Sequence, residues 1–249
     1  MRFALPAVLF MATMASAQTS TPAPVWNYLG WHGSQLWGHV DPAWKLCDDG
    51  HAQSPVNIHG ARLNKKLPEL NFHYITAPVT LENNGRTILA HVTPGSYVTI
   101  DGVRYDLVEF DFHIPGETAV QGKLADMEIH LLHKSADGRQ IVIAVRLMED
   151  INAPNGMLAA LWPSLPKKAG EAAKPTERIN VGGLLPADRG YWSYDGSLST
   201  PPCTEGVRWY VFEQTQFIGR QQLKIFSTLF HLNTRPLQDL RGRRIEANE

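Results

Sequence analysis

The sequence has almost no net charge. Its 23 lysines and arginines stand against 24 aspartates and glutamates, leaving −1 at pH 7 and a pI near 6.8. No basic block breaks that balance, which argues against a nucleic acid or an anionic membrane surface as partner. Internal repeats, low-complexity segments and an internal linker are also lacking, so the 249 residues are read as one domain. A 43% hydrophobic content is enough to fill one substantial core. The apolar run near the N-terminus is too short to span a bilayer. Cysteine is scarce as well: there are two, Cys47 and Cys203.

What is present begins with an address. In MRFALPAVLFMATMASA, Arg2 supplies a positive start, Phe3 to Met14 an apolar stretch, and Ala15-Ser16-Ala17 a small-residue cleavage pattern. Residues 1–17 are therefore expected to be a signal peptide that sends the protein to the periplasm or outside the cell. Residues 18–25, QTSTPAPV, read as a flexible leader before a domain over 26–249. In an oxidising compartment the two distant cysteines can form a disulfide. Spacing alone also permits two buried thiols.

From Leu70 onward the pattern is mostly strand. LNFHYI, VTLENN, TILAHV, YVTID, LVEFDFHI, MEIHLLH and QIVIAVRLM are short apolar or alternating runs, many of them separated by turn residues. SADGRQ reads as a hairpin turn. Helices are expected around 155–161 and 219–230, the second from the spacing of Leu223, Phe226 and Leu229. The fold class is mainly β with a few peripheral short helices.

In EFDFHIPGET, Glu109, Asp111 and His113 alternate along one strand face, while Phe110 and Phe112 turn the other way. In MEIHLLH, Glu128, His130 and Leu132 share a face, and His133 points opposite. If these strands are neighbours, one surface presents Asp111, His113 and His130 with Glu109 and Glu128 beside them. Such a set can hold a metal with an open position, and Glu128 can fix the His130 tautomer. Taken alone, the spacing also fits a few hydrogen-bonded polar residues on a half-exposed sheet.

Other segments give that pattern a context. WNY at 26–28, QSPVNI at 53–58, LENNG at 81–85, MEIHLLH, SLSTPPCTEGVRWYV at 197–211 and NTRPLQ at 233–238 together resemble the α-class carbonic anhydrases. The resemblance implies a central, largely antiparallel twisted sheet of about ten strands. It implies reversible hydration of carbon dioxide to bicarbonate and one Zn2+ per chain. It maps zinc ligands onto Asp111, His113 and His130, and supporting acids onto Glu109 and Glu128. Ser199, Thr200 and the buried acid Glu117 fall on catalytic positions. Leu132, Val142, Leu198 and Trp209 fall on the apolar wall for carbon dioxide. Cys47–Cys203 corresponds to the disulfide of exported members, and Arg86 occupies the proton-shuttle position.

Three departures from the family pattern stand out. Asp111 stands where the resemblance calls for a histidine ligand, Glu109 for a glutamine, and Arg86 for a shuttling histidine. A carboxylate is shorter than an imidazole, so its oxygen stops about an ångström short of a metal that expects a bond of about 2.0–2.2 Å. It also lowers the effective charge of the ion and weakens the acidity of its water. Arginine stays protonated and relays nothing, leaving buffer or His91 to carry the proton. Two histidines with one carboxylate also suit ferrous iron. The expected activity is slow carbon dioxide hydration. The alternative is a carbonic-anhydrase-like binding module that has lost its metal.

Overall fold

The computed structural model describes residues 24–249. The expected signal peptide, and the leader up to residue 23, lie outside the described residues.

Alternating burial builds a sheet of thirteen strands. At its middle lie Ile88–Val92, Val103–His113, Met127–Ser135, Gln140–Asp150, Glu205–Phe212 and Tyr191–Ser197, in that spatial order. Val79–Asn83 and Ala172–Ala173 extend one side, and Glu246–Ala247 and Arg62–Leu63 the other. The seven runs read from Leu70 to Met148 all contain strands. The expected helices form at Gly156–Leu161 and Arg220–Leu229. Asn155 caps the first by accepting from the Leu158 N–H.

The sheet has thirteen strands where about ten are expected, and it is largely antiparallel as expected, with three parallel ladders. Gln140–Asp150 runs parallel to both Glu205–Phe212 and Gln216–Gly219, and Glu246–Ala247 runs parallel to Arg62–Leu63. The remaining ladders of this sheet are antiparallel. Parallel neighbours need a long crossover. Here it contains the Gly156–Leu161 helix and the strand Tyr191–Ser197. That strand, YWSYDGS, was not expected, because its polar residues break the apolar signal.

One face of the sheet packs the main core, including Phe110, Phe112, Ile129, Leu131, Phe212 and Phe226. The other face carries a smaller apolar cluster around Val142, Ala144, Tyr194, Trp209 and Val211. The central strand has a bulge. Leu132 pairs with Glu109 and His133 with Leu107, so Val108 is left over. The extra residue resets the alternation. Leu107 joins the core with His133, while Glu109, two residues on, lies opposite Leu132.

The N-terminal segment crosses in front of this second face. Trp26, Tyr28 and Trp37 stack edge-on, with centroids 5.0–5.7 Å apart. They pack with the Cys47–Cys203 disulfide, whose Cα atoms are 5.0 Å apart. That bond ties this segment to the loop at 198–204. The loop is closed by Leu198 N–H to the Thr204 carbonyl and Cys203 N–H to the Thr200 carbonyl.

Candidate metal centre

Strand register assembles the site. His130 lies directly opposite Asp111, and Glu128 opposite His113. One row further, His91, Glu109, Leu132, Val142 and Trp209 line up across five strands. Above these rows is a cavity of about 180 Å³. Asp111, His130, Leu132, Val142 and Trp209 line it from the sheet, Ser199 and Thr200 from the loop, and Trp26 and Tyr28 from the N-terminal segment.

Asp111, His113 and His130 each offer one donor atom, all within 4.8 Å of one another. The hydrogen bonds select which atoms these are. His113 Nδ1 donates to the Asn233 carbonyl at 2.9 Å, leaving Nε2 as a lone pair. Nε2 is buried, has no hydrogen-bond partner, and lies 3.2 Å from Asp111 Oδ2. His130 Nε2 donates to Glu128 Oε1 at 2.9 Å, which frees Nδ1. Glu128 is saturated in turn, its Oε1 taking the Thr118 hydroxyl and its Oε2 the Thr118 N–H, both at 2.7 Å.

Two lone-pair atoms facing each other at 3.2 Å need a cation between them, either a proton or a metal ion. The electrostatics show the same demand. Burial opposes a charge on His113, yet Glu117 and Asp111 outweigh it and push its pKa up to about 10. Burial likewise opposes ionisation of Asp111, but the two imidazoles hold its carboxyl below the usual range. Glu128 is also held low against the effect of burial, by His130 and Thr118. Burial, reinforced by the nearby Asp111 charge, raises Glu109. The donor set, two neutral imidazoles and a carboxylate with supported tautomers, fits a divalent metal.

Matches to known proteins cover most of this architecture. The model of the eukaryotic-type carbonic anhydrases matches residues 32–249. The chain belongs to the eukaryotic-type carbonic anhydrase family. A carbonic anhydrase of Klebsiella pneumoniae is 42% identical, covering 88% of this chain and 89% of its own length. An α-carbonic anhydrase of Thermovibrio ammonificans, solved with sulfanilamide, superposes with a TM-score of 0.86 at 35% identity. That match covers 90% of this chain and 99% of the other. Dioscorin, solved with ascorbate, reaches 0.83 at 25% identity over 90% and 97% of the two chains. The relatives that carry the enzyme's name make this chain a carbonic anhydrase-type enzyme.

The other expected site residues fall in or around the carbonic anhydrase cavity, with three differences. Leu198 packs against the cluster that contains Val142 and Trp209 and is not among the residues that line the cavity. Ser199 and Glu117, which the resemblance puts on catalytic positions, share no hydrogen bond. Glu117 Oε1 accepts the Arg235 N–H at 2.7 Å, and its buried Oε2, 3.8 Å from His130 Nδ1, has no partner. That commitment to the Arg235 backbone fixes the carboxylate behind the cavity. His91 is held between Glu82 at 3.0 Å and Glu109 at 3.4 Å, and is not a lining residue.

Arg86 does line the cavity. His133 is fully buried on the core face, where Nδ1 donates to the Leu131 carbonyl and Nε2 accepts the Tyr74 hydroxyl at 2.7 Å. Residue pattern alone assigns no role to Asn233, Thr118 or Tyr28. Asn233 and Tyr28 sat inside the quoted motifs NTRPLQ and WNY. Nothing in the local pattern singled out Thr118.

Proposed function

We propose that this carbonic anhydrase interconverts carbon dioxide and bicarbonate with one zinc ion held by Asp111, His113 and His130. The observation that carries the proposal is the convergence of three metal-donor atoms, with fixed tautomers, beneath an apolar wall. A zinc ion there would acidify water enough to supply a nucleophile near neutral pH. The chain's own residues do the rest. Leu132, Val142 and Trp209 hold the apolar substrate and exclude excess water. The Ser199 and Thr200 hydroxyls, at the end of the tightly closed 198–204 loop, orient the attacking oxygen. Glu128 and the Asn233 carbonyl keep His130 and His113 in their donor tautomers.

Two features make the enzyme slow in this reading. Asp111 places a negative charge on the ion, so less of the nucleophile exists at neutral pH. Arg86 accepts no proton, so the released proton leaves through buffer. Export to an oxidising compartment is supported by the Cys47–Cys203 disulfide and by the sequence of residues 1–17.

The test is stopped-flow carbon dioxide hydration of zinc-loaded protein across an imidazole buffer series. Chelator-sensitive activity that rises with buffer concentration is expected. Absence of such activity in the native chain, with its appearance in Asp111→His, would identify a metal-free binding module instead.

A further inference from the structure

Among the residues lining the cavity, Arg86 is the one with a permanent positive charge, set against Glu109 and Asp111. Its guanidinium is not a loose end. Nε donates to the Trp26 carbonyl at 3.0 Å and Nη1 to the Asn84 carbonyl at 3.4 Å. The head lies over the Trp26 ring, 4.4 Å from its centroid. The backbone is fixed as well. Arg86 N–H donates to Asn84 Oδ1, and its carbonyl accepts from Asn233 Nδ2 at 3.0 Å. The backbone carbonyl of the same Asn233 accepts from His113 Nδ1, so a single residue, through its side-chain amide and its main chain, ties the Arg86 turn to a metal-donor histidine. Arg86 Nη2 has no partner among the described residues.

We infer that Arg86 is a bicarbonate-binding residue, which uses its free Nη2 to hold the anion within the cavity. The inference rests on reading the cavity as a carbon dioxide and bicarbonate site. Charge counting supports it. A divalent ion on two neutral imidazoles and a carboxylate carries one positive charge fewer than the same ion on three imidazoles. Its attraction for an anion falls accordingly. Arg86 returns one positive charge to the same cavity, so the Asp111 and Arg86 departures offset each other. The contact is a charge-assisted hydrogen bond from Nη2 to an oxyanion oxygen, stronger than a bond between neutral groups. Stacking on Trp26 has already limited the rotamers, so little entropy is lost on binding. Neutral carbon dioxide gains nothing from it. Arg86 therefore favours capture of bicarbonate and retards its release.

The experiment is calorimetric titration of zinc-loaded protein with bicarbonate at low ionic strength, for the native chain, Arg86→Gln and Arg86→Lys. The expected result is about a tenfold loss of affinity in Arg86→Gln, equal to about 1.4 kcal/mol, with a smaller loss in Arg86→Lys. Hydration assays on the same preparations separate the two readings. A native chain without hydration activity, but with Arg86-dependent bicarbonate binding, removes the proposed reaction and leaves this inference standing. An active native chain whose Arg86→Gln variant binds bicarbonate within twofold of normal overturns the inference alone. A native chain that binds no bicarbonate overturns it as well.

Discussion

Replacing Glu128 with glutamine probes how the metal centre is supported. Glu128 is fully buried and receives three donors on two oxygens: His130 Nε2–H at 2.9 Å, and the hydroxyl and N–H of Thr118 at 2.7 Å each. A glutamine offers one acceptor oxygen and one NH2. If the oxygen stays with His130 and the Thr118 hydroxyl, the NH2 meets the Thr118 N–H, donor against donor. If the amide flips, His130 loses its acceptor and its tautomer is no longer held. In both orientations the imidazole loses an anionic partner, which lowers its basicity toward a metal. Loss of such a partner typically costs about 10–100-fold in metal affinity, which corresponds to about 1.4–2.7 kcal/mol. Competition with a fluorescent zinc chelator measures this directly, with circular dichroism to confirm that the variant folds. A folded Glu128→Gln protein that binds zinc within twofold of the native chain would refute the argument, and with it the assignment of His130 Nδ1 as a donor.

His133 gives stability a pH dependence. Burial lowers its pKa from 6.5 to about 4, so the unfolded chain takes up the proton first as pH falls. Its contribution is complete above pH 6.5 and is lost on acidification through about pH 4, amounting to about 3 kcal/mol. The stability gap between the native chain and His133→Asn, from urea denaturation, should shrink by that amount between pH 7 and pH 4; a constant gap would contradict it. The Cys47–Cys203 bond joins residues 156 apart in sequence. Replacing both cysteines with alanine should cost about 5 kcal/mol on the chain-entropy account, read as a lower urea midpoint. Oxidised and reduced native protein that unfold at the same midpoint would contradict that account.

The sequence by itself determined the local half of this molecule. Alternation along EFDFH and MEIHLLH set which side chains share a face, because a strand repeats every two residues regardless of its neighbours. Boundary signals located the first helix and hydrophobic spacing the second, and the linked motifs pointed to the family and its ligand positions. Tertiary structure decided the rest. Only sheet pairing brings His130 opposite Asp111, and only the crossover places Trp209 beside Val142. The Val108 bulge turns Leu107 to the core while Glu109 stays with the site row, which no strict alternation can encode. The partners that set the tautomers come from elsewhere in the chain, with Asn233 lying 120 residues from His113. So does the Trp26 shelf under Arg86, 60 residues away in sequence. Distant partners leave no periodic trace in a sequence, because their contact depends on the whole chain having folded.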